Sequence, residues 1–242
     1  MQRYFIEKNQ VGDGFIQVFG NDVHHMKNVM RFRIGEIADF VSDQGVIYQA
    51  EHVTFQKDQA VFKILSERKS EKTTSKVTIA QALIKKDRFE LFLEKSTELG
   101  VYEIIPTVFS RSIIKLDEKE EAKKVLRYRT IVKESSEQSE RDHLPKIREV
   151  MKLKDLPFDE YDKILVCFER TDQEHHLKNL LPTLKKEDRI LVLIGPEGGI
   201  TEEELSYVVT KGAEIVSLGS QILRSETAST VILSALLIEW VL

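Results

Sequence analysis

With 242 residues, 41% of them hydrophobic and 31% charged, the chain has the composition of a globular protein rather than of a disordered one. A single cysteine, Cys167, excludes an internal disulfide, and no Cys/His cluster has metal-ligand spacing, so we expect a reducing, cytoplasmic setting and no bound metal. No signal peptide is predicted, and the apolar stretches fall short of the roughly 20 residues that a membrane helix needs. The net charge of −4 means that any nucleic-acid binding must depend on a local cluster of Lys and Arg.

The first 70 residues are predicted to form a small β-barrel domain. Segments rich in β-branched and aromatic residues are separated by turns such as Asp13-Gly14, a pattern typical of short strands. The predicted strands are Tyr4–Glu7, Phe15–Phe19, Ile37–Ser42, Val46–His52 and Ala60–Leu65. One helix is expected at about Asp22–Met30, with Asp22 as its N-cap. The polar run Ser66–Lys76 has no apolar period, and residues 71–76 within it are the predicted linker.

Residues 77–242 are predicted to form a second domain of the α/β class. Here strands and helices alternate, which indicates a parallel sheet covered by helices. The predicted strands are Val77–Leu83, Glu103–Phe109, Lys163–Phe168, Arg189–Ile194 and Glu214–Leu218. The predicted helices are Asp87–Leu99, Asp117–Ser139, Thr201–Lys211 and Ala228–Leu242.

A glycine-rich turn follows the fourth of these strands, in the segment Ile194-Gly-Pro-Glu-Gly-Gly-Ile-Thr201. Thr201 and Glu204 form a capping box that predicts where the next helix begins. Glycines let backbone approach a ligand closely, and N–H groups at a helix start attract anions. The turn matches neither the Walker A pattern nor the dinucleotide fingerprint. It indicates either a ligand-binding loop or a plain strand-to-helix turn.

A second loop, Leu218-Gly-Ser-Gln-Ile-Leu-Arg-Ser-Glu-Thr-Ala228, follows the next strand. Both loops lie at carboxyl ends of strands, where open α/β sheets bind ligands. Ile222 and Leu223 are apolar residues in a predicted surface loop. They indicate either a wall for a flat ring such as adenine, or residues that pack onto the core.

Taken together, the two loops resemble the signature of the SPOUT-class 16S ribosomal RNA uridine-N3 methyltransferases. The resemblance covers nearly the whole chain. Further segments that match the family are Met1-Gln-Arg-Tyr-Phe5, His24-His-Met-Lys-Asn-Val-Met-Arg31, Lys86-Asp-Arg-Phe-Glu-Leu-Phe-Leu-Glu-Lys-Ser-Thr-Glu-Leu-Gly100, Arg111-Ser-Ile-Ile-Lys115 and Glu137-Gln-Ser-Glu-Arg141.

This resemblance implies a PUA-like β-barrel followed by a SPOUT domain, an α/β sheet with a trefoil knot at its C-terminus. It also implies S-adenosylmethionine as cofactor, small-subunit ribosomal RNA as substrate, and a homodimer. The cofactor contacts implied by position are Ile194, Gly195, Gly198, Leu218, Gly219, Ile222, Leu223, Thr227 and Ala228. The chain departs from the family where Ser220-Gln221 replaces a usual Pro-Arg and Ser225 replaces Thr, which puts a role for the Gln221 side chain in doubt.

Methylation at uridine N3 requires loss of a proton, so a cation near the base and a proton acceptor are expected. Arg224 and Arg141 are predicted to stabilise or orient the base, with Glu226 as a candidate general base. The alternatives are that Arg224 and Glu226 only tie the loop together and that Arg141 only binds phosphate. The predicted RNA-binding face comprises Arg3, His24, Lys27, Arg31 and Arg33. Two other functions stay open: a SPOUT enzyme that methylates a different nucleotide, and a non-catalytic RNA-binding protein of ribosome assembly.

Overall fold

The structure, a computed structural model, describes residues 2–70, 75–114, 117–169 and 175–241. The chain divides into two compact units, and each is described separately below. The first comprises Met1–Thr73 with Ser136–Leu144, and the second Thr74–Ser135 with Pro145–Leu242.

The first unit contains a six-stranded mixed sheet of order β1-β4-β5-β6-β3-β2. Its strands are β1 (Arg3–Ile6), β2 (Val11–Gly12), β3 (Phe15–Phe19), β4 (Ile37–Ser42), β5 (Val46–Phe55) and β6 (Gln59–Lys69). Strands β1 and β4 are parallel, and the other pairs are antiparallel. Along β3, Ile16 and Val18 are fully buried while Phe15, Gln17 and Phe19 are exposed, the period of two expected of a strand with one buried face. The core includes Phe40 and Phe62, whose rings lie 4.8 Å apart in an edge contact.

Several details at the helix and the linker differ from the sequence prediction. The expected single helix is a short α-helix, α1 (Asn21–His24), that continues into one π-helical stretch at His25–Val29. Its N-cap is Gly20 rather than Asp22, because the cap has a φ of 69°, which favours glycine. The polar residues 66–69 belong to β6, since their backbone pairs with β5 although their side chains are exposed. Of the predicted linker, residues 71–74 lie outside the described residues and Lys76 already begins the next strand.

The second unit contains a parallel sheet of order β10-β8-β7-β12-β11-β13, with β9 paired to β8. Its strands are β7 (Lys76–Ala82), β8 (Glu103–Val108), β9 (Lys146–Ile147), β10 (Met151–Lys152), β11 (Lys163–Cys167), β12 (Arg189–Ile194) and β13 (Ala213–Val216). Its helices are α2 (Lys86–Glu98), α3 (Glu118–Gln138, which continues into the first unit), α4 (Leu177–Leu180), α5 (Glu202–Thr210) and α6 (Ser225–Val241). The apolar run Ile190–Leu193 of β12 is fully buried, as expected of an inner parallel strand.

After its last strand, the chain returns from the edge of the sheet to the middle. Strand β12 lies between β7 and β11, and β13 lies on the outer side of β11. The chain then returns, so that α6 packs against α2 and contacts β7 and β12. A trefoil knot would need a return of this kind, and the knot itself stays a prediction. None of the helices in the described ranges is long and apolar enough to cross a membrane.

The closing helix begins earlier than predicted. We expected Ala228 as its first residue, whereas α6 begins at Ser225, so the second loop ends at Arg224. The backbone N–H groups of Thr227 and Ala228 each donate to the Arg224 carbonyl at 2.9 Å, which closes the first turn. The short elements β9, β10 and α4 were not predicted, because two to four residues are too few to show a period.

Candidate cofactor-binding site

A cavity of about 280 Å³ lies at the carboxyl ends of the parallel strands in the second unit. Three chain segments form most of its wall: Cys167–Glu169 at the end of β11, the turn after β12, and the loop after β13. Of the predicted cofactor contacts, those that line the cavity are Ile194, Gly195, Leu218, Gly219, Ile222, Leu223 and Ala228. Gly198 and Thr227 are not among the lining residues. The two loops singled out from the sequence thus face one shared space.

The first loop, hereafter the glycine loop (residues 195–199), packs tightly against Ile200, the residue that follows it. A Cβ on Gly195 would lie 2.6 Å from Cγ1 of Ile200, a buried side chain, so no larger residue fits there without displacement. Gly199 has a φ of +75°, which favours glycine. The predicted capping box at the start of α5 is present: Glu204 N donates to Thr201 Oγ1 at 3.1 Å, and Thr201 N donates to Glu204 Oε2 at 3.0 Å.

Arg111 holds the far side of the glycine loop. Its Nη1 donates to the Gly198 carbonyl at 3.0 Å. A Cβ on Gly198 would lie 3.1 Å from Cβ of Arg111, so this glycine allows the arginine to pack closely. The structural role of Gly198 is therefore to seat Arg111, and a cofactor contact by Gly198 stays a prediction.

A buried hydrogen-bond chain holds the near side of the glycine loop. The Ser225 hydroxyl donates to the Gly195 carbonyl at 2.7 Å and accepts from Gln81 Nε2 at 2.6 Å. Ser229 Oγ donates to Gln81 Oε1 at 3.0 Å. Gln81 and Ser229 have no exposed surface. The chain therefore ties the end of β7, the start of α6 and the glycine loop together, and Ser225 makes this link although the family commonly has Thr there.

The second loop, hereafter the apolar loop (residues 218–224), is held less firmly. Gly219 has a φ of +133°, and its N–H donates to Ser217 Oγ at 3.4 Å. Ile222 is 82% exposed although it lines the cavity. An apolar side chain that is both exposed and at a cavity mouth is suited to cover a ligand.

The predicted catalytic residues occupy three different environments. The Arg224 side chain is exposed, lines the cavity and has no partner among the described residues. Glu226 is buried and does not line the cavity; its Oε1 lies 3.9 Å from Nε of Arg88. Arg141 belongs to the first unit, where burial lowers the pKa of its guanidinium to about 10, so it is still charged at neutral pH.

The floor of the cavity includes the one thiol. Burial raises the pKa of Cys167 to about 12, so the thiol is neutral at physiological pH. Cys167 pairs in register with Ile194 of β12 and Val216 of β13. It is therefore a small apolar wall residue rather than a nucleophile.

One residue of the predicted RNA-binding face, Arg3, is buried in the first unit and does not belong to that face. Arg3 is 7% exposed and forms ion pairs with Asp39, at 3.3 Å, and with Asp142. A buried guanidinium paired with two carboxylates already has its charge compensated within the unit, and it is not available to phosphates. The other four residues, His24, Lys27, Arg31 and Arg33, are exposed.

Sequence reasoning missed Gln81, Arg88 and Arg111 as parts of the site. Gln81 carried a detectable signal, because an amide inside the apolar run Val77–Leu83 must find buried partners. Arg88 and Arg111 lie in segments that match the family, but no neighbouring residues indicated that these two arginines belong to the site. Their importance depends on contacts more than 80 positions away in the sequence.

The cavity has the chemical features that an adenosyl amino acid requires. Its apolar side chains suit a flat ring, its glycines allow backbone contact, and Arg88, Glu169, Glu197 and Arg224 offer charges of both signs. Among the described residues no group of three or more His, Cys, Asp or Glu side chains could hold a metal ion. The residues present therefore fit an organic cofactor that carries both charges.

Comparison with known proteins defines the class. Residues 70–237 match the RNA methyltransferase domain and residues 20–65 match the RNA methyltransferase PUA domain. The class is therefore that of RNA methyltransferases with an N-terminal PUA domain.

Individual relatives narrow this class. The chain is 34% identical to the ribosomal RNA small subunit methyltransferase E of Bacillus subtilis, over 98% of this chain and 96% of that protein. A crystal structure of the corresponding Neisseria gonorrhoeae protein, bound to S-adenosyl methionine, is 28% identical, covers 99% of this chain and 98% of that one, and has a TM-score of 0.84. A Legionella pneumophila structure with bound cofactor SAM is 26% identical, with a TM-score of 0.86 and coverage of 97% and 96%. The chain belongs to the ribosomal RNA small subunit methyltransferase E family.

Proposed function

We propose that this protein transfers a methyl group from S-adenosylmethionine to N3 of one uridine in 16S ribosomal RNA. The observation that supports this most directly is the cavity between the glycine loop and the apolar loop, which both follow parallel strands. The Neisseria and Legionella relatives bind this cofactor in chains of the same fold. Seven of the nine cofactor contacts predicted from the sequence line the cavity.

The reaction is an in-line displacement in which the bound sulfonium supplies an electrophilic methyl group. The bond from N3 to the methyl carbon forms, the bond from sulfur to that carbon breaks, and the N3 proton leaves to a base or to solvent. Positioning is a large part of such catalysis, and a nearby cation favours the anionic base. Arg224 is exposed and lines the cavity, which supports the proposal that it provides this cation.

RNA binding is assigned to an exposed patch in the first unit, comprising His24, Lys27, Arg31 and Arg33. Val29 and Ile34, 60% and 76% exposed, lie among these residues in the sequence. Such a mixture of cations and apolar groups suits phosphates together with unpaired bases. The patch provides the local basic surface that the net charge of −4 does not show.

We also propose a homodimer that acts in the cytoplasm, where its ribosomal substrate is made. Helix α6 contains the largely apolar segment 231–238, in which Leu237 and Ile238 remain 40% and 58% exposed. Neighbouring exposed apolar side chains of this kind are typical of a surface that another protein covers. A second copy of the chain would cover it, and sedimentation of the purified protein tests this.

The experiment that tests the function compares isolated small subunits with naked 16S RNA as substrates, followed by nucleoside analysis of the product. The expected product is 3-methyluridine, and the same nucleoside should disappear from a deletion strain. A different methylated nucleoside would establish another SPOUT reaction. Calorimetry that detected no S-adenosylmethionine binding would instead favour the non-catalytic assembly protein.

A further inference from the structure

Arg88 connects three elements of the second unit, namely α2, the glycine loop and the start of α6. It lies in the first turn of α2 and lines the cavity. Its Nη1 donates to Oε1 of Glu197 on the glycine loop at 3.2 Å, and its Nε lies 3.9 Å from Oε1 of Glu226 in the first turn of α6. The Arg88 guanidinium therefore joins α2 to two elements that lie more than 100 positions further along the sequence.

Glu226 is the more deeply buried of the two carboxylates. Its side chain is 9% exposed, against 24% for Glu197. Its Oε2 is buried and has no hydrogen-bond partner among the described residues. Since a buried carboxylate is costly without a nearby cation, Arg88 compensates its charge. Arg88 lines the cavity and Glu226 does not, so the arginine presents its charge to a ligand there.

The Arg88 guanidinium retains free hydrogen-bond donors. It has five N–H groups, and Glu197 accepts one of them. The 3.9 Å separation from Glu226 is too long for a hydrogen bond. No described residue accepts from Nη2. A guanidinium held on one side by carboxylates and free on the other is suited to bind an oxygen anion.

We propose that Arg88 contacts the ligand in the methyl-transfer site and binds an oxygen anion through its free N–H groups. That oxygen belongs either to the carboxylate of the cofactor or to the deprotonated uracil ring. Glu197 and Glu226 are then positioning residues that orient Arg88, and Glu226 is not the general base. This inference rests on the proposed function.

The test uses Arg88→Met and Arg88→Lys in the full-length protein. For each we would measure affinity for S-adenosylmethionine and for its decarboxylated analogue by calorimetry, and the single-turnover methylation rate at saturating cofactor. Arg127→Met is the matched control. Arg127, on α3, forms an ion pair at 3.4 Å with Glu90 of α2, the helix that also carries Arg88, and it does not line the cavity.

Loss of one charge-assisted contact is expected to weaken binding or slow the reaction by roughly 10- to 100-fold. If the cofactor carboxylate is the anion, Arg88→Met weakens binding of S-adenosylmethionine but not of the decarboxylated analogue. If the uracil is the anion, both affinities persist and the single-turnover rate falls. Arg88→Lys, which keeps the charge but loses the planar fork, is expected to lie between Arg88→Met and the wild type.

Glu226→Gln separates the positioning role from general-base catalysis. Glu226→Gln is expected to lower the same quantity that Arg88→Met lowers, either cofactor affinity or single-turnover rate, but by less. The double variant should show no greater loss than Arg88→Met alone. Unchanged affinity and rate in Arg88→Met, with an unchanged melting temperature, would overturn the proposal. If Arg88→Met does not fold, Arg88→Lys and Glu226→Gln provide the same comparison, and wild-type values in both overturn it.

The proposed function can fail separately. A wild-type protein that binds cofactor but leaves uridine unmethylated would refute the reaction. A selective loss of S-adenosylmethionine affinity in Arg88→Met would in that case still support the carboxylate contact.

Discussion

The glycine loop and the apolar loop face the same cavity, but they are held in opposite ways. In the glycine loop, the carbonyls of Gly195 and Gly198 both accept side-chain hydrogen bonds, at 2.7 and 3.0 Å. In the apolar loop, Gln221 and Arg224 are exposed and form no side-chain hydrogen bond with a described residue, and Ile222 is 82% exposed.

This contrast indicates two ways of binding one ligand. A loop whose backbone is fixed before binding costs little conformational entropy when the ligand arrives. A loop with few contacts can adapt to the ligand, but its ordering reduces the affinity. Substitutions near the glycine loop should therefore alter the shape of the site, whereas substitutions in the apolar loop should remove only direct contacts.

The largest effect is expected for the alkylation rate of Cys167, on the floor of the cavity that both loops face. Because the thiolate is the reactive form and burial raises the pKa of Cys167 to about 12, alkylation by iodoacetamide at pH 8 should be roughly 100- to 1000-fold slower than for a free cysteine. The folded pKa lies above the unfolded one, so this group's contribution to stability is complete below about pH 9 and is lost as the pH rises toward 12. The chain has one cysteine, so mass spectrometry reports this site alone. The same protein unfolded in guanidinium is the control, and equal rates in both states would show that the floor is open.

The next largest effect is expected for Gly195→Ala. The added Cβ would lie 2.6 Å from Cγ1 of Ile200, which must move and displace the loop. Overpacking of this kind costs about 1–3 kcal/mol, and we expect cofactor affinity to fall by roughly 10- to 100-fold. Gly12→Ala is the control, because nothing lies within 4 Å of its added Cβ. Calorimetry checks the affinity, and a wild-type value would mean that the glycine loop is as adaptable as the apolar loop.

A smaller effect is expected for Gln81→Leu. The substitution keeps the volume but removes the amide donor to Ser225 and one of the acceptors within reach of the Ser229 hydroxyl, which also lies 3.1 Å from the Ser225 carbonyl. Loss of buried hydrogen bonds of this kind typically costs about 1–3 kcal/mol of stability. Ser225, which donates to the Gly195 carbonyl, is then held less firmly, so cofactor affinity should fall roughly 10-fold while the single-turnover rate at saturation is kept. Ser225→Thr retains the hydroxyl and should behave like the wild type. A loss of rate with unchanged affinity would contradict an effect through the loop.

The confirmed predictions and the corrections have physical causes in particular residues. The apolar run Arg189–Ile194 and the capping box at Thr201 are local patterns, and the structure has the same strand and the same cap. The PUA and methyltransferase domains and the α/β class were also predicted correctly. Arg3 was misassigned because its partners Asp39 and Asp142 are distant in sequence, so no local pattern shows that it is buried.

The smallest effect, and the sharpest test of the contrast, is expected for Ile222→Ala. Since Ile222 is 82% exposed, its truncation should leave the melting temperature unchanged, within about 0.5 kcal/mol of stability. If one of the carbon groups removed from the side chain is buried against the ligand, the lost apolar contact should weaken cofactor binding by roughly 4-fold, given about 0.8 kcal/mol per buried methylene. Val209→Ala, at an exposed site on α5 outside the cavity, is the control and should change neither value. A lower melting temperature in Ile222→Ala would mean that the apolar loop is packed as firmly as the glycine loop, because only a side chain already in contact stabilises the folded protein without ligand.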